Sequence, residues 1–150
     1  MQKVLLSDLS QFVKDALTRL APKNTATIIA LRGDLGAGKT TFTQALAREL
    51  GITATVQSPT YILMRKYQIS NHKPARPTGG FQTLIHIDAY RLENPKEFSA
   101  LKPEQFLSDP KTLVVVEWPE KVAGALPPAD LTINFSSQDA GEEERYIEVV

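Results

Sequence analysis

Eight consecutive residues, Gly33-Asp34-Leu35-Gly36-Ala37-Gly38-Lys39-Thr40, fit the pattern G-x-x-x-x-G-K-[ST]. Each residue type in it has a physical task. Glycines let the main chain curl until several N–H groups converge on phosphate oxygens, and a helix starting at the last glycine adds its positive end. Lys39 then reaches the β- and γ-phosphates of a nucleotide. The Thr40 hydroxyl completes the octahedral oxygen shell of a Mg2+ ion, which takes few ligands from protein. Thr41 is placed to hydrogen-bond on the α-phosphate side. A chance match to this octet in a chain of this length is on the order of a per cent or less at average glycine usage. A strand before the octet and a helix after it, the context the pattern needs, reduce that chance further.

Phosphoryl chemistry on magnesium also needs an acid at the end of a neighbouring strand, holding the ion directly or through water. Leu84-Ile85-His86-Ile87-Asp88 and Leu113-Val114-Val115-Val116-Glu117 both close an apolar run with a carboxylate. That is the sheet edge where ligands of open α/β folds bind. Both acids are candidates, and a solvated strand-end acid is the plain alternative for either. The run before Glu117 is wholly apolar, as a central strand beside the glycine turn would be. Glu117 is therefore the preferred metal partner, and Asp88 then faces the γ-phosphate or its attacking water. Trp118, the only tryptophan, offers a flat ring for a base, although an isolated tryptophan is more often core. His86 reads as a satisfied structural histidine. No other histidine–carboxylate cluster has metal-ligand spacing, which leaves zinc or iron chemistry without support.

These residues need elements to hold them. Leu9, Phe12, Val13, Ala16, Leu17 and Leu20 recur at the spacing of one buried helical face, with Ser7 or Asp8 as cap and Pro22 beyond the end. Ala26 to Leu31 reads as a strand buried on both faces. A helix follows from near Gly38, with Phe42, Ala45, Leu46 and Leu50 inward and Gly51 at its left-handed C-terminal position. Tyr61 to Ile69 and Thr83 to Ile87 read as strands separated by a loop from Ser70 to Gly80. Pro95 to Asp109 reads as one or two short helices, Leu113 to Val116 as a second buried strand, and Pro119 to Ala125 as a short helix. Leu131 to Phe135 and Tyr146 to Val150 complete the pattern as a hairpin at the sheet edge. The expectation is an α/β fold, a mostly parallel sheet flanked by helices with an antiparallel edge hairpin, in a single domain over residues 1–150.

Composition agrees with that class. The chain has 150 residues, 42% hydrophobic and 23% charged, the balance of an ordinary globular domain and not of a disordered or fibrous chain. Seventeen basic and 17 acidic residues give zero net charge, which argues against holding nucleic acid by bulk electrostatics. No cysteine is present, so disulfide scaffolds, thiolate metal sites and cysteine nucleophiles are excluded. Val4-Leu5-Leu6 is too short an apolar run for a signal peptide or membrane span. A soluble, cytoplasmic protein is the expectation.

Four blocks together go further. Residues Gly33 to Phe42, then Ser58-Pro59-Thr60, then His86-Ile87-Asp88-Ala89-Tyr90-Arg91-Leu92, then Val116-Glu117-Trp118-Pro119-Glu120 resemble, in this order, the TsaE (YjeE) family. Members are small P-loop ATPases needed for the threonylcarbamoyladenosine modification of tRNA at position 37. The resemblance implies a P-loop NTPase-like fold. It implies that Lys39, Thr40 and the backbone of Leu35, Gly36, Ala37, Gly38 and Thr41 bind ATP phosphates, and that Thr40 with Glu117 binds Mg2+. It also implies that Thr60 in a switch-type loop approaches the γ-phosphate, that Asp88 positions or activates water, and that Trp118 lies beside the nucleotide. Partners implied are TsaB and TsaD: TsaD transfers the threonylcarbamoyl group, ATP hydrolysis resets the complex, and tRNA is held mainly by the partners. The stretch from Asn71 to Gly80 is longer and richer in Pro, Gly and basic residues than the family pattern implies, and reads as a surface loop.

Two rivals share the glycine turn. A small P-loop kinase would pass the γ-phosphate to a metabolite, but no arginine-rich lid segment is evident and 150 residues leave little room for an acceptor pocket. A GTP-dependent switch would need an Asn-Lys-x-Asp block, which is absent. With no arginine assignable to the transferring phosphate, hydrolysis by the isolated chain is expected to be slow, since an arginine finger is worth ~10^3 to 10^5 in rate.

Overall fold

The computed structural model describes residues 1–59, 63–69 and 80–150. Its strands are β1 (Gln2–Leu5), β2 (Thr27–Arg32), β3 (Met64–Gln68), β4 (Thr83–Asp88), β5 (Thr112–Glu117), β6 (Leu131–Ser136) and β7 (Glu144–Val149). They form one sheet in the order β1-β7-β6-β2-β5-β4-β3. The four inner strands β6, β2, β5 and β4 run parallel, and the pairs β1–β7, β7–β6 and β3–β4 are antiparallel. The α/β expectation and the parallel centre are thus found.

Alternation along the central strands splits the core in two, because successive side chains of a strand point to opposite faces. Ile29, Leu31, Leu113, Val115 and Leu84 pack on one side with helices α1 (Leu9–Thr18) and α2 (Lys39–Glu49). Ile28, Ala30, Val114, Val116, Ile85 and Ile87 face the other side, covered by Phe98, Phe106 and Val122. Those come from a 3-10 turn at Pro95–Leu101, a short helix α3 (Glu104–Leu107) and a 3-10 turn at Pro119–Val122. Phe42, fully buried on α2, meets Phe12 of α1 at 6.2 Å and Phe135 of β6 at 5.8 Å, both edge-on. This aromatic line seats α2 against the sheet.

Local signals hold where the chain solves its own geometry. Gly51 has φ +81. Its N–H donates to Arg48 O at 3.0 Å and that of Ile52 to Ala47 O at 2.9 Å, the paired closure of a left-handed C-terminus. Other readings need correction. No side chain caps α1, because a 3-10 turn over Leu6–Asp8 runs straight into it and Leu9 N–H donates to Leu6 O instead. The β6–β7 hairpin is not the sheet edge: β1 lies outside it, pairing Val4 with Arg145. This strand carries only one buried residue, Val4, so its apolar pattern was too short to read. The third strand is shorter than Tyr61 to Ile69, and residues 60–62 and 70–79, including Thr60 and most of the expected loop, lie outside the described residues. Among the described residues no helix is long and apolar enough to cross a membrane.

Candidate functional site

Strand β2 ends at Arg32 and α2 begins at Lys39, so the glycine turn occupies the C-terminal edge of a central strand. At two glycines there a side chain would be strained for reasons the pattern did not show. A Cβ on Gly33, at φ +138, would lie 2.4 Å from the Phe135 carbonyl oxygen of β6. Gly38, at φ +104, starts α2, and a Cβ on it would sit 3.2 Å from Arg145 Nε. The turn is thus packed closely against β6 and β7. Ala37 N–H closes it onto Asp34 O at 3.1 Å.

Lys39 is buried, with 4% of its surface exposed. Its ammonium folds onto its own turn, donating to Gly33 O at 2.5 Å and Asp34 O at 2.8 Å, and lies 4.4 Å from the centre of the Trp118 ring. Burial pulls the Lys39 amine below its usual range, opposed by the charges of Glu117, Asp88 and Asp34. A cation held this way has few water contacts.

The parallel register decides the acids. Asp88 of β4 stands opposite Glu117 of β5, and Glu117 opposite Leu31 of β2. Glu117 is therefore one strand from the turn, as its apolar run suggested, and Asp88 two. Thr40 Oγ1 donates to Glu117 Oε1 at 3.0 Å. The same oxygen is met by His86 Nε2 at 2.8 Å, with His86 fully buried and Glu117 nearly so. Asp88 accepts from the Tyr90 backbone N–H at 3.0 Å and from Ser58 Oγ at 3.2 Å. Leu35, Gly36, Gly38, Lys39, Thr40, Thr41, Asp88, Glu117 and Trp118 all border one cleft of about 160 Å³, together with Ser58. Ala37 is buried beneath it.

Trp118 has φ +59, a left-handed conformation rare for a bulky residue and the kind of backbone strain that gathers at functional sites. Pro119 follows it into the next turn. The half-buried ring packs on Tyr90, centroids 5.1 Å apart. With the Lys39 ammonium on it, the ring walls the phosphate end of the cleft. Two residues here have no signal of their own in the sequence: Ser58 is only part of a block, and the pattern gives His86 as a structural histidine. Arg145, buried at Nε without a hydrogen-bond partner among the described residues, packs behind the turn and donates through Nη1 to Glu142 O at 3.1 Å. No arginine borders the phosphate cleft among the described residues.

No ordinary three-ligand metal group of His, Asp and Glu occurs among the described residues. A hydroxyl and a carboxylate joined at the mouth of a phosphate turn are a different donor set. They suit Mg2+, which fills its shell mostly from phosphate and water. The family model described as threonylcarbamoyl adenosine biosynthesis protein TsaE matches residues 6–147. The chain belongs to the TsaE family. Relatives named tRNA threonylcarbamoyladenosine biosynthesis protein TsaE are similar to it. That of Haemophilus influenzae is 34% identical over 83% of this chain and 70% of its own length. That of Bacillus subtilis is 38% identical over 80% of this chain and 66% of its own length. The Synechocystis relative is 42% identical over 64% of this chain and 56% of its own. A crystal structure of Bacillus subtilis YdiB superposes with TM-score 0.62 and 29% identity, covering 97% of this chain and 80% of that one. The TsaE family places the chain in tRNA threonylcarbamoyladenosine biosynthesis.

Proposed function

We propose that this member of the TsaE family is a magnesium-dependent ATP hydrolase that drives or resets a TsaB–TsaD threonylcarbamoyl-transfer complex. The hydrogen bond from Thr40 to Glu117 at 3.0 Å carries the reading. It fixes a hydroxyl and a carboxylate beside the amides that would take the β-phosphate. Thr40 and Glu117 would hold the ion, Glu117 directly or through water. When bound, magnesium neutralises charge on the β- and γ-phosphates.

The chain's own residues do the rest. Backbone N–H groups from Leu35 to Thr41 cradle the phosphates, and α2 points its positive end at them. Lys39 exchanges two carbonyl acceptors, Gly33 O and Asp34 O, for β- and γ-phosphate oxygens. Asp88, on the same cleft, would orient the attacking water. Ser58 holds one oxygen of that acid. Trp118 shields the Lys39 ammonium from bulk water.

With no arginine on the cleft among the described residues, charge developing on the transferring group lacks one stabiliser, and turnover by the isolated chain is slow. TsaB and TsaD supply what is missing, and zero net charge suits a protein that leaves tRNA to its partners. The test is an ATPase assay with and without TsaB and TsaD. Stimulation by the partners, with free inorganic phosphate as product, is expected. Full activity of the chain alone would contradict the partner role, and a phosphorylated metabolite as product would replace hydrolysis with kinase chemistry.

A further inference from the structure

The buried end of β4 holds a group that phosphate binding does not by itself require. His86 is fully buried, lies on the same face of the sheet as Asp88 and Glu117, and touches Glu117 Oε1 through Nε2 at 2.8 Å. Its other nitrogen, Nδ1, is buried with no hydrogen-bond partner among the described residues. An aliphatic side chain would fill the same space without stranding a polar atom, so packing alone does not explain an imidazole there.

The donors fix the proton directions. An ionised carboxylate only accepts. Oε1 therefore takes the Thr40 hydroxyl hydrogen from one side and the His86 Nε2 hydrogen from the other, at 3.0 and 2.8 Å. Two donors on one oxygen stop the carboxylate from rotating. Its second oxygen, Oε2, meets no donor among the described residues and is left for the cleft. The Thr40 hydroxyl, having spent its hydrogen on Glu117, turns its lone pairs outward, the polarity a cation at Thr40 would need.

We propose that His86 is a positioning residue of the magnesium site: as the Nε2–H tautomer it locks Glu117 and, through Glu117, the direction of the Thr40 hydroxyl. This rests on the magnesium–ATP reading above. Partners behind a metal ligand usually matter by about 10- to 100-fold in metal affinity.

The experiment compares His86→Leu with His86→Gln. The amide nitrogen of glutamine can stand where Nε2 stands, whereas leucine keeps bulk and loses the donor. Binding of ATP is followed at increasing Mg2+, and again with the metal chelated. His86→Leu should need about 10- to 100-fold more Mg2+, His86→Gln should recover most of the loss, and neither should change affinity for metal-free ATP. Equal loss in both variants, or no loss in either, would overturn the proposal. Wild-type binding that ignores Mg2+ would instead overturn the magnesium–ATP reading itself. Should His86→Leu fail to fold, the imidazole nitrogen resonances of the metal-free wild type decide: a protonated Nε2 with bare Nδ1 is expected, and the opposite tautomer refutes the lock.

Discussion

Thr40 and Glu117 are tied by one hydrogen bond, and substituting them singly and together reads its worth. Thr40→Val keeps shape and removes the hydroxyl; Glu117→Met keeps length and removes the carboxylate that accepts from it. The bond is 3.0 Å long, to an acid with 3% of its surface exposed. A hydrogen bond to a charged group in such a place contributes about 1.5–3 kcal/mol. At tenfold per about 1.4 kcal/mol, each single substitution should weaken Mg2+-dependent ATP binding by roughly 10- to 100-fold. The double variant should be little worse than either single, because both remove the same bond, leaving a coupling energy of about 1.5 kcal/mol or more. Calorimetric titration of ATP with magnesium, and again with chelator, measures all four corners of the cycle. With chelator the four proteins should bind nearly alike. Additive losses, or equal losses in the absence of metal, would refute the idea that these two side chains act as one metal-binding unit.

Lys39 gives a pH signature. Because burial lowers its amine below 10.5, the folded chain sheds that proton before the unfolded chain does. Stability of the nucleotide-free protein should therefore rise with pH between the lowered value and the ordinary one. Denaturant unfolding across the alkaline range should show this rise in the wild type and not in Lys39→Met; equal slopes would refute it. Phosphate oxygens favour the charged amine, so ATP affinity should fall over the same window. Gly33→Ala forces a Cβ to 2.4 Å from the Phe135 carbonyl oxygen at φ +138, and should cost at least about 2 kcal/mol of stability. A denaturation midpoint that barely moves would mean that β6 yields.

The strand, glycine turn and helix around residues 33–40 were readable in order because their geometry is local. A curled backbone, a helix start and a lysine one residue beyond the last glycine are neighbours in the chain. The apolar run before Glu117 likewise reported its own burial, and a buried strand belongs near the middle of a parallel sheet. The short outer strand Gln2–Leu5 was not readable, since its stability comes from hydrogen bonds to β7, formed across nearly the whole length of the chain. Which groups lie against the Trp118 ring was also not readable, because Lys39 and Tyr90, which do so among the described residues, are brought there by folding.

The chain by itself determined which groups are available: a glycine-rich turn with its lysine, a hydroxyl, two strand-end acids, and one tryptophan after the second acid. Strand pairing decided who meets whom. Parallel register between β4 and β5 sets Asp88 beside Glu117. The seating of α2 against β5 joins Thr40 to Glu117 over a separation of 77 residues. The same folding sets the buried His86 ring against that acid. Spacing along a strand says which face a side chain takes; only the order and register of strands say which other side chains share it.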